Sequence, residues 1–407
     1  MAQQLLIIGN GMASVRLVEA LLKKAPDRFA ITIVGAEPRP AYNRVLLSAL
    51  LAQDVSETDI IMRPTDWYGA QDIRLITGDA VMHLDVQAKD ATLASGLRLR
   101  FDHCVIATGS TAVRLPIPGM DKPGVITFRD LDDVATMDQT IARKQSVAVI
   151  GGGLLGIEAA YGLAKRGAKV TLVHVMDRLM ERQIDKRAAS LLKRALERRG
   201  IKVMLQAQTV AVIGDGQASG LAFADGSMLA ADLVVCAVGI RPNDALAGAA
   251  GIATNRGIIV NDAMTSSLPF IHAIGECAQH RGIAYGLVEP AYAQAEVLAA
   301  NLAGDTVCFD GMVLATNLKV SGVPVFSAGD FMGTDGTQCV HVEDRYRGHY
   351  RKLVFRGGRL VGCLLVGEAE DGLWYLALIR DAVDISAVRH ALIHGRDFAE
   401  PLIKEAA

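Results

Sequence analysis

Short apolar runs and helical spacing follow one another in the same order twice along the chain. Leu5–Ile8 is an apolar run that ends at Gly9. Ser14–Lys24 then sets Val15, Val18, Leu21 and Leu22 at helical intervals, and Ile31–Val34 is a second β-branched run closed by Gly35-Ala36-Glu37. The order is strand, glycine turn, helix, strand. Ser146–Ile150, Gly151–Gly153, Leu154–Lys165 and Lys169–Val173 repeat it. This spacing is a duplicated βαβ unit and not a short-period repeat.

Each half closes on a similar phrase. Phe101–Gly109 and Ala231–Gly239 are apolar runs that end at glycine, where the chain must leave a sheet. Pro116, Pro118 and Pro123 mark a linker out of the first half, and Pro242 marks one out of the second. Strand-like runs return at Ile258–Val260 and Ile271–Ile274, with a helix near Pro290–Leu302. From about Thr316 the texture changes. Tyr350–Phe355 and Leu360–Val366 alternate around Gly357-Gly358, a hairpin signal, and Trp374–Val383 has helical spacing. A third, smaller α+β domain is expected there.

Composition narrows the class. The 407 residues allow two to four domains at roughly 100–200 residues each. With 51% apolar residues, 40 glycines and only 5% aromatics, the chain suits an α/β fold with many tight turns. The net charge of −2 and the lack of a continuous basic run argue against nucleic acid as a partner. The basic stretch Ala188–Arg199 reads as a solvated helix face or as a docking patch for an acidic partner. No apolar run is long enough to span a bilayer, and the first apolar run is too short for a signal peptide. The expectation is a soluble, cytoplasmic protein with no membrane contact. Six cysteines, Cys104, Cys236, Cys277, Cys308, Cys339 and Cys363, form no C-x-x-C pair, and no metal site is expected.

The glycine turns carry the chemistry. In Gly9-x-Gly11-x-x-Ser14 the glycines permit a sharp strand-to-helix turn, and the free N–H groups of the helix start meet a pyrophosphate. Ser14 stands where a third glycine or alanine is usual. Glu37, at the end of the next strand, can accept hydrogen bonds from both ribose hydroxyls. The second turn is Gly151-Gly152-Gly153-x-x-Gly156-x-Glu158. Its expected ribose acid is missing: His174 stands there, with Asp177 and Arg178 just beyond. Without a carboxylate nothing repels a 2′-phosphate, and His174 and Arg178 could accept one. NADPH should therefore be tolerated, with NADH preference open through Asp177.

Four phrases carry a family resemblance: Ala107-Thr108-Gly109, Gly151–Glu158, Ala237-Val238-Gly239-Ile240-Arg241-Pro242-Asn243 and Ile274-Gly275-Glu276. Over about residues 3 to 305 the chain resembles the pyridine-nucleotide flavoprotein oxidoreductases, in the branch of rubredoxin and ferredoxin reductases. Further stretches extend the likeness. They are Ala36-Glu37-Pro38-x-Pro40-x-Tyr42-Asn43-Arg44-Val45-Leu46-Leu47-Ser48, Met180-Glu181-Arg182-Gln183-x-Asp185, Ala273-Ile274-Gly275-Glu276-Cys277-Ala278 and Ala315-Thr316-Asn317-Leu318-Lys319-Val320-Ser321-Gly322. These look like the flavin portion of the assimilatory NAD(P)H nitrite reductase large subunit and the nitrate reductase electron-transfer subunit. Those subunits continue into a cysteine-rich iron–sulfur region and a sirohaem domain. This sequence stops at Ala407, so the expectation is a separate electron-donating component.

The resemblance implies an α/β fold with two Rossmann-like dinucleotide-binding domains, arranged as in glutathione reductase, and a small C-terminal α+β domain. Residues 1–112 and 240–315 would bind FAD, 113–239 NADH or NADPH, and 316–407 would cover the flavin edge or make a homodimer contact. FAD would meet Gly9, Gly11, Met12, Ser14, Glu37, Arg44, Ser48, Ala107, Thr108, Gly109, Arg129, Gly275 and Glu276. The nicotinamide nucleotide would meet Gly151, Gly153, Leu155, Gly156, Glu158, His174, Arg178 and Gly239. Arg44 would neutralise the pyrophosphate. Glu276 replaces the more usual Asp at the ribityl chain. Glu158 would be the one catalytic side chain. Its lysine partner in the ferredoxin-reductase branch is Ala49 here, which leaves Glu158 to bind the carboxamide.

Disulfide reductases of this family need C-x-x-C, and its oxidases and peroxidases use an early cysteine, whereas none precedes Cys104 here. The implied function is NAD(P)H-dependent reduction of FAD, followed by electron delivery to an iron–sulfur or sirohaem partner. The competing reading is a flavin- and NADH-binding regulatory protein of the apoptosis-inducing type, with slow turnover.

Overall fold

The structure is a computed structural model that describes residues 2–143, 145–318 and 322–406. The Lys319-Val320-Ser321 part of the C-terminal family phrase lies outside the described residues. The chain folds into two compact units. The first comprises residues 1–47, 55–112 and 240–311, and the second 48–54, 113–239 and 312–407.

The first unit is built on a five-stranded parallel sheet, in the order Ile271–Ala273, His103–Ile106, Gln3–Ile8, Phe29–Gly35, Arg74–Thr77. Strand Gln3–Ile8 is central and continuous in apolar residues because helices or a second sheet cover both faces. Helix Met12–Lys24 crosses back over the sheet and packs on helix Val288–Ala303. The second helix ends in Gly304 with a left-handed cap. An antiparallel sheet of Val81–Asp85, Asp90–Leu93 and Arg98–Arg100 belongs to the same unit. It is absent from the sequence expectation, because its strands are short and half-exposed.

The second unit repeats the plan. Its parallel sheet runs Lys202–Met204, Lys169–Val173, Ser146–Ile150, Leu233–Cys236, Val125–Thr127. Helix Leu154–Lys165 returns between the first two strands of the motif, and helix Lys186–Glu197 follows. Asp185 caps the latter, its side chain accepting from Ala188 N–H at 3.0 Å. The leucine face of that helix is buried while Arg194 and Arg198 stay toward solvent, the arrangement of a solvated amphipathic helix.

The C-terminal segment of this unit forms a five-stranded antiparallel sheet. Its order is Ala315–Leu318, Val325–Gly329, Arg359–Val366, His349–Arg356, Gln338–Asp344. The expected hairpin at Gly357-Gly358 is present, and both glycines have positive φ. Helix Gly372–Arg380 covers the sheet through Tyr375, Leu376 and Leu378. Tyr350 Oη donates to Asp185 Oδ2 at 2.9 Å, tying this sheet to the loop before helix Lys186–Glu197.

Candidate cofactor sites

The two glycine turns are built alike down to single hydrogen bonds. At the first, Gly9 N–H donates to Val34 O at 2.8 Å and Ala107 N–H donates to Ile8 O at 2.8 Å. At the second, Gly151 N–H donates to Val173 O at 2.9 Å and Ala237 N–H donates to Ile150 O at 2.8 Å. Gly9 has φ +114° and Gly151 φ +120°, left-handed values that disfavour any side chain. A Cβ on Gly9 would lie 2.2 Å from Ala107 O, and one on Gly151 2.2 Å from Ala237 O. Ala107-Thr108-Gly109 and Ala237-Val238-Gly239 are therefore the floors against which the turns press.

Both helices begin without a side-chain cap. Gly11 precedes Met12–Lys24 and Gly153 precedes Leu154–Lys165, and neither first turn carries an acid. The first N–H groups of each helix are left for an outside acceptor, with the positive end of the helix dipole behind them. Gly11 and Gly153 face open space on the side where a Cβ would point. Met12 and Leu155 lie in these opening turns. The arrangement fits a pyrophosphate at each turn.

The third position separates them. Ser14 Oγ donates to Gly9 O at 2.6 Å, so the hydroxyl is satisfied inside the turn. At the matching position a Cβ on Gly156 would sit 1.9 Å from Gly151 O.

Around the first turn, Glu37 accepts from Tyr42 Oη at 2.8 Å and pairs with the Arg44 guanidinium, which also lies over the Tyr42 ring. Arg44 is thus held beside Glu37. Asn10, between the two turn glycines, donates to Arg39 O at 3.3 Å, and its buried Oδ1 has no partner among the described residues. Glu276 Oε2 accepts from Ser110 Oγ at 2.7 Å. Gly275 N–H donates to Gln294 Oε1 at 2.8 Å, and Asn243 braces Thr108 and Gly109 through three bonds of 2.7–2.9 Å. Asn10, Tyr42, Ser110 and Gln294 are not among the site residues expected from the sequence. Tyr42 had a signal in its family phrase; Ser110 had none.

Two of the residues expected at FAD lie in the second unit. Arg129 follows strand Val125–Thr127, and its N–H donates to Asp133 Oδ2 at 2.7 Å. Ser48 is buried, and its hydroxyl donates to Glu158 Oε2 at 2.7 Å. The sequence leaves Glu158 without a partner at Ala49; the neighbouring residue supplies one. Burial pushes the Glu158 carboxyl above the usual glutamate range, and the Ser48 hydrogen bond opposes that rise.

The region beyond strand Lys169–Val173 differs from the sequence reading. His174 does not face solvent. Its ring is buried, Nδ1 accepts from Gly152 N–H at 3.0 Å, and Nε2 lies 3.0 Å from Glu181 Oε2. A carboxylate, that of Glu181 seven residues later, is brought to His174 by the folded-back loop. Arg178 Nη1 lies 2.9 Å from Asp177 Oδ1 and Nη2 3.4 Å from Glu181 O. Gly239 has φ +130° and open space beside it.

The described residues hold no disulfide and no cluster of three or more His, Cys, Asp or Glu suited to a metal. Cys277, next to Glu276, donates to Ile106 O and Ile274 O at 3.3 Å, and burial pushes its thiol up. Cys104 is buried and shifted in the same direction. No described helix is long and apolar enough to cross a membrane.

These geometries agree with what the chain is similar to. Residues 315–383 match the rubredoxin NAD+ reductase C-terminal domain. A nitrite reductase [NAD(P)H] of Bacillus subtilis is 46% identical over 99% of this chain and 50% of its own length. The assimilatory nitrate reductase electron transfer subunit of the same organism is 40% identical over 96% of this chain and 51% of its own. The chain thus spans about half the length of these relatives. A solved ferredoxin reductase from Rhodopseudomonas palustris, of the CYP199A2 system, superposes with a TM-score of 0.84 at 29% identity, covering 91% of this chain and 93% of that one. Residues 3–296 match the pyridine nucleotide-disulphide oxidoreductase family, whose cofactors are FAD and NAD(P)H, and with both of its turns in place the chain belongs to that family.

Proposed function

We propose that this chain takes reducing equivalents from NAD(P)H at the Gly151 turn and passes them, through FAD at the Gly9 turn, to a separate redox protein. The observation that carries this reading is the pair of near-identical turns, each with uncapped helix N–H groups and a first glycine pressed on a closing strand. FAD, when bound, would supply a carrier that takes up one hydride, two electrons with a proton, and gives the electrons up singly. The residues' own work is binding and alignment. Gly11 and Gly153 open the helix starts to pyrophosphate, and Glu37 accepts from the adenosine ribose. Arg44, paired with Glu37, adds positive charge beside the pyrophosphate. Glu158 accepts from the nicotinamide carboxamide, with Ser48 fixing its second oxygen.

The thiols support electron delivery to a partner protein over a redox-active disulfide within the chain. Cys104 and Cys277 are buried and held protonated, and the sequence has no C-x-x-C. The acceptor is accordingly an iron–sulfur or haem protein, in nitrite or nitrate assimilation or of the rubredoxin or ferredoxin type. We place the chain in the cytoplasm, where reduced nicotinamide nucleotides are supplied. The C-terminal sheet has an edge strand, Gln338–Asp344, with Val340 and Val342 exposed. That strand supports a contact role for this domain, with the acceptor or a second copy.

Stopped-flow mixing of the FAD-loaded protein with NADH and NADPH tests the reading, followed by a screen of iron–sulfur acceptors. Flavin bleaching within seconds and onward transfer are expected. Bleaching over many minutes, with a tight charge-transfer complex, would instead fit a regulatory flavoprotein and sink the proposal.

A further inference from the structure

We propose that Glu181 is the residue that reads the adenosine ribose at the second turn, and that it makes the chain discriminate against a 2′-phosphate. This rests on the nucleotide reading of the Gly151 turn and specifies which nucleotide that turn prefers.

The carboxylate is positioned through two contacts and one backbone conformation. Met180 N–H donates to Gly152 O at 2.9 Å, which pins the residue before Glu181 to the turn itself. Met180 is fully buried and has φ +49°, a left-handed value that a non-glycine residue holds only when its surroundings impose it. The second contact is His174. Gly152 N–H can only donate, so Nδ1 carries a lone pair and the ring proton sits on Nε2. Nε2–H therefore donates to Glu181 Oε2 at 3.0 Å. The ring is neutral and acts as a spacer that carries the hydrogen-bonding demand of the turn out to the carboxylate.

One oxygen of Glu181 remains to accept. Apart from the His174 bond, the nearest cation is Arg182 Nε, 4.0 Å from Oε1 and outside hydrogen-bond range. The Arg182 side chain is 86% exposed, while that of Glu181 is 22% exposed. Oε1 can accept from a ribose hydroxyl, and its charge opposes a phosphate in the same place.

The neighbouring cations are committed elsewhere. Arg178 pairs with Asp177 and reaches the Glu181 carbonyl, and Lys186 Nζ lies 3.3 Å from Asp177 Oδ2. The competing feature is Arg178, whose Nε is buried without a partner among the described residues. A buried Nε cannot reach a ligand phosphate unless the loop moves. The geometry assigns the deciding charge to Glu181.

The test uses the FAD-loaded protein and two redox-inactive probes, ADP-ribose and 2′-phospho-ADP-ribose, titrated by calorimetry. Wild type should bind ADP-ribose at least about tenfold more tightly, and Glu181→Gln should bring the two within about threefold. His174→Ala should weaken ADP-ribose binding and raise the KM for NADH while leaving kcat unchanged, as expected of a positioning residue. Arg178→Ala should change the affinity of both probes alike. An unchanged probe ratio in a folded, FAD-retaining Glu181→Gln protein overturns the proposal. So does a selective loss of the phosphorylated probe in Arg178→Ala. If wild type binds neither probe, the nucleotide reading of the Gly151 turn has failed, and this inference with it.

Discussion

The Gly9 and Gly151 turns share their backbone and differ in the side chains hung on it. Counting from the residue before each helix, Ser14 matches Gly156, and Arg16 matches Glu158. At the strand ends, Glu37 stands two residues after Phe29–Gly35, whereas Glu181 reaches His174 only through a folded loop. Arg16 is half-exposed and pairs with Glu296 across helix Val288–Ala303. Glu158 is turned inward and bonded to Ser48. The shared backbone suits both turns to a pyrophosphate. On the proposed reading, the side chains differ where the two cofactors would differ.

Gly156→Ala tests that comparison with the largest expected effect. Its Cβ would lie 1.9 Å from Gly151 O, an overlap with backbone that only a shift of the turn relieves. The loss should exceed ~3 kcal/mol in nucleotide binding, beyond a hundredfold in Kd for NADH. Ser14→Ala, at the matching position, removes one hydrogen bond and should cost only ~1 kcal/mol. Calorimetry on the FAD-loaded proteins measures the first, and FAD retention measures the second. Equal effects at both positions would break the idea that Ser14 is accommodated by its own bond to Gly9 O.

Glu37→Ala comes next. The carboxylate is held by Tyr42 and Arg44, so its loss removes a proposed ribose acceptor and the carboxylate that Arg44 pairs with. FAD should be lost on a desalting column, with its binding weakened by ~1.5–3 kcal/mol, the range for hydrogen bonds to a charged group. NADH binding at the other turn should be unaffected. Full FAD retention would show that the first turn does not rely on its terminal acid.

Most of this was legible in the chain. The duplicated βαβ pattern comes from apolar runs and glycine punctuation, because parallel strands buried on both faces read as unbroken apolar segments. Glu37 was visible because only Ala36 separates it from strand Phe29–Gly35. Glu181 was not assigned, since its place depends on the left-handed Met180 and on a hydrogen bond from Gly152, neither of which spacing reveals. Ser48 was visible as part of a family phrase, yet its bond to Glu158 joins residues far apart in sequence. The short antiparallel strands Val81–Arg100 escaped because half-exposed strands of three to five residues carry little periodicity.

The smallest expected effect concerns Glu158, the feature with no counterpart at the first turn. Burial raises its carboxyl above the ordinary value of 4.5. The folded protein therefore binds this proton more tightly than the unfolded chain does. The resulting stability is fully present below the unfolded value and is lost as pH rises through the raised folded one. Glu158→Gln removes the titration. The Tm difference, variant minus wild type, should become more positive as pH rises from 4.5 through that window and then level off. Ser48→Ala removes the hydrogen bond that opposes the shift, so its window should lie at higher pH than wild type's, with a change of ~1 kcal/mol or less. Arg16→Gln, at the matching helix position, should leave the pH profile unmoved, because its ion pair with Glu296 is solvated. Identical pH profiles for wild type and Glu158→Gln would mean that Glu158 is ordinary in its ionisation. The two helices would then differ in sequence without differing in electrostatics.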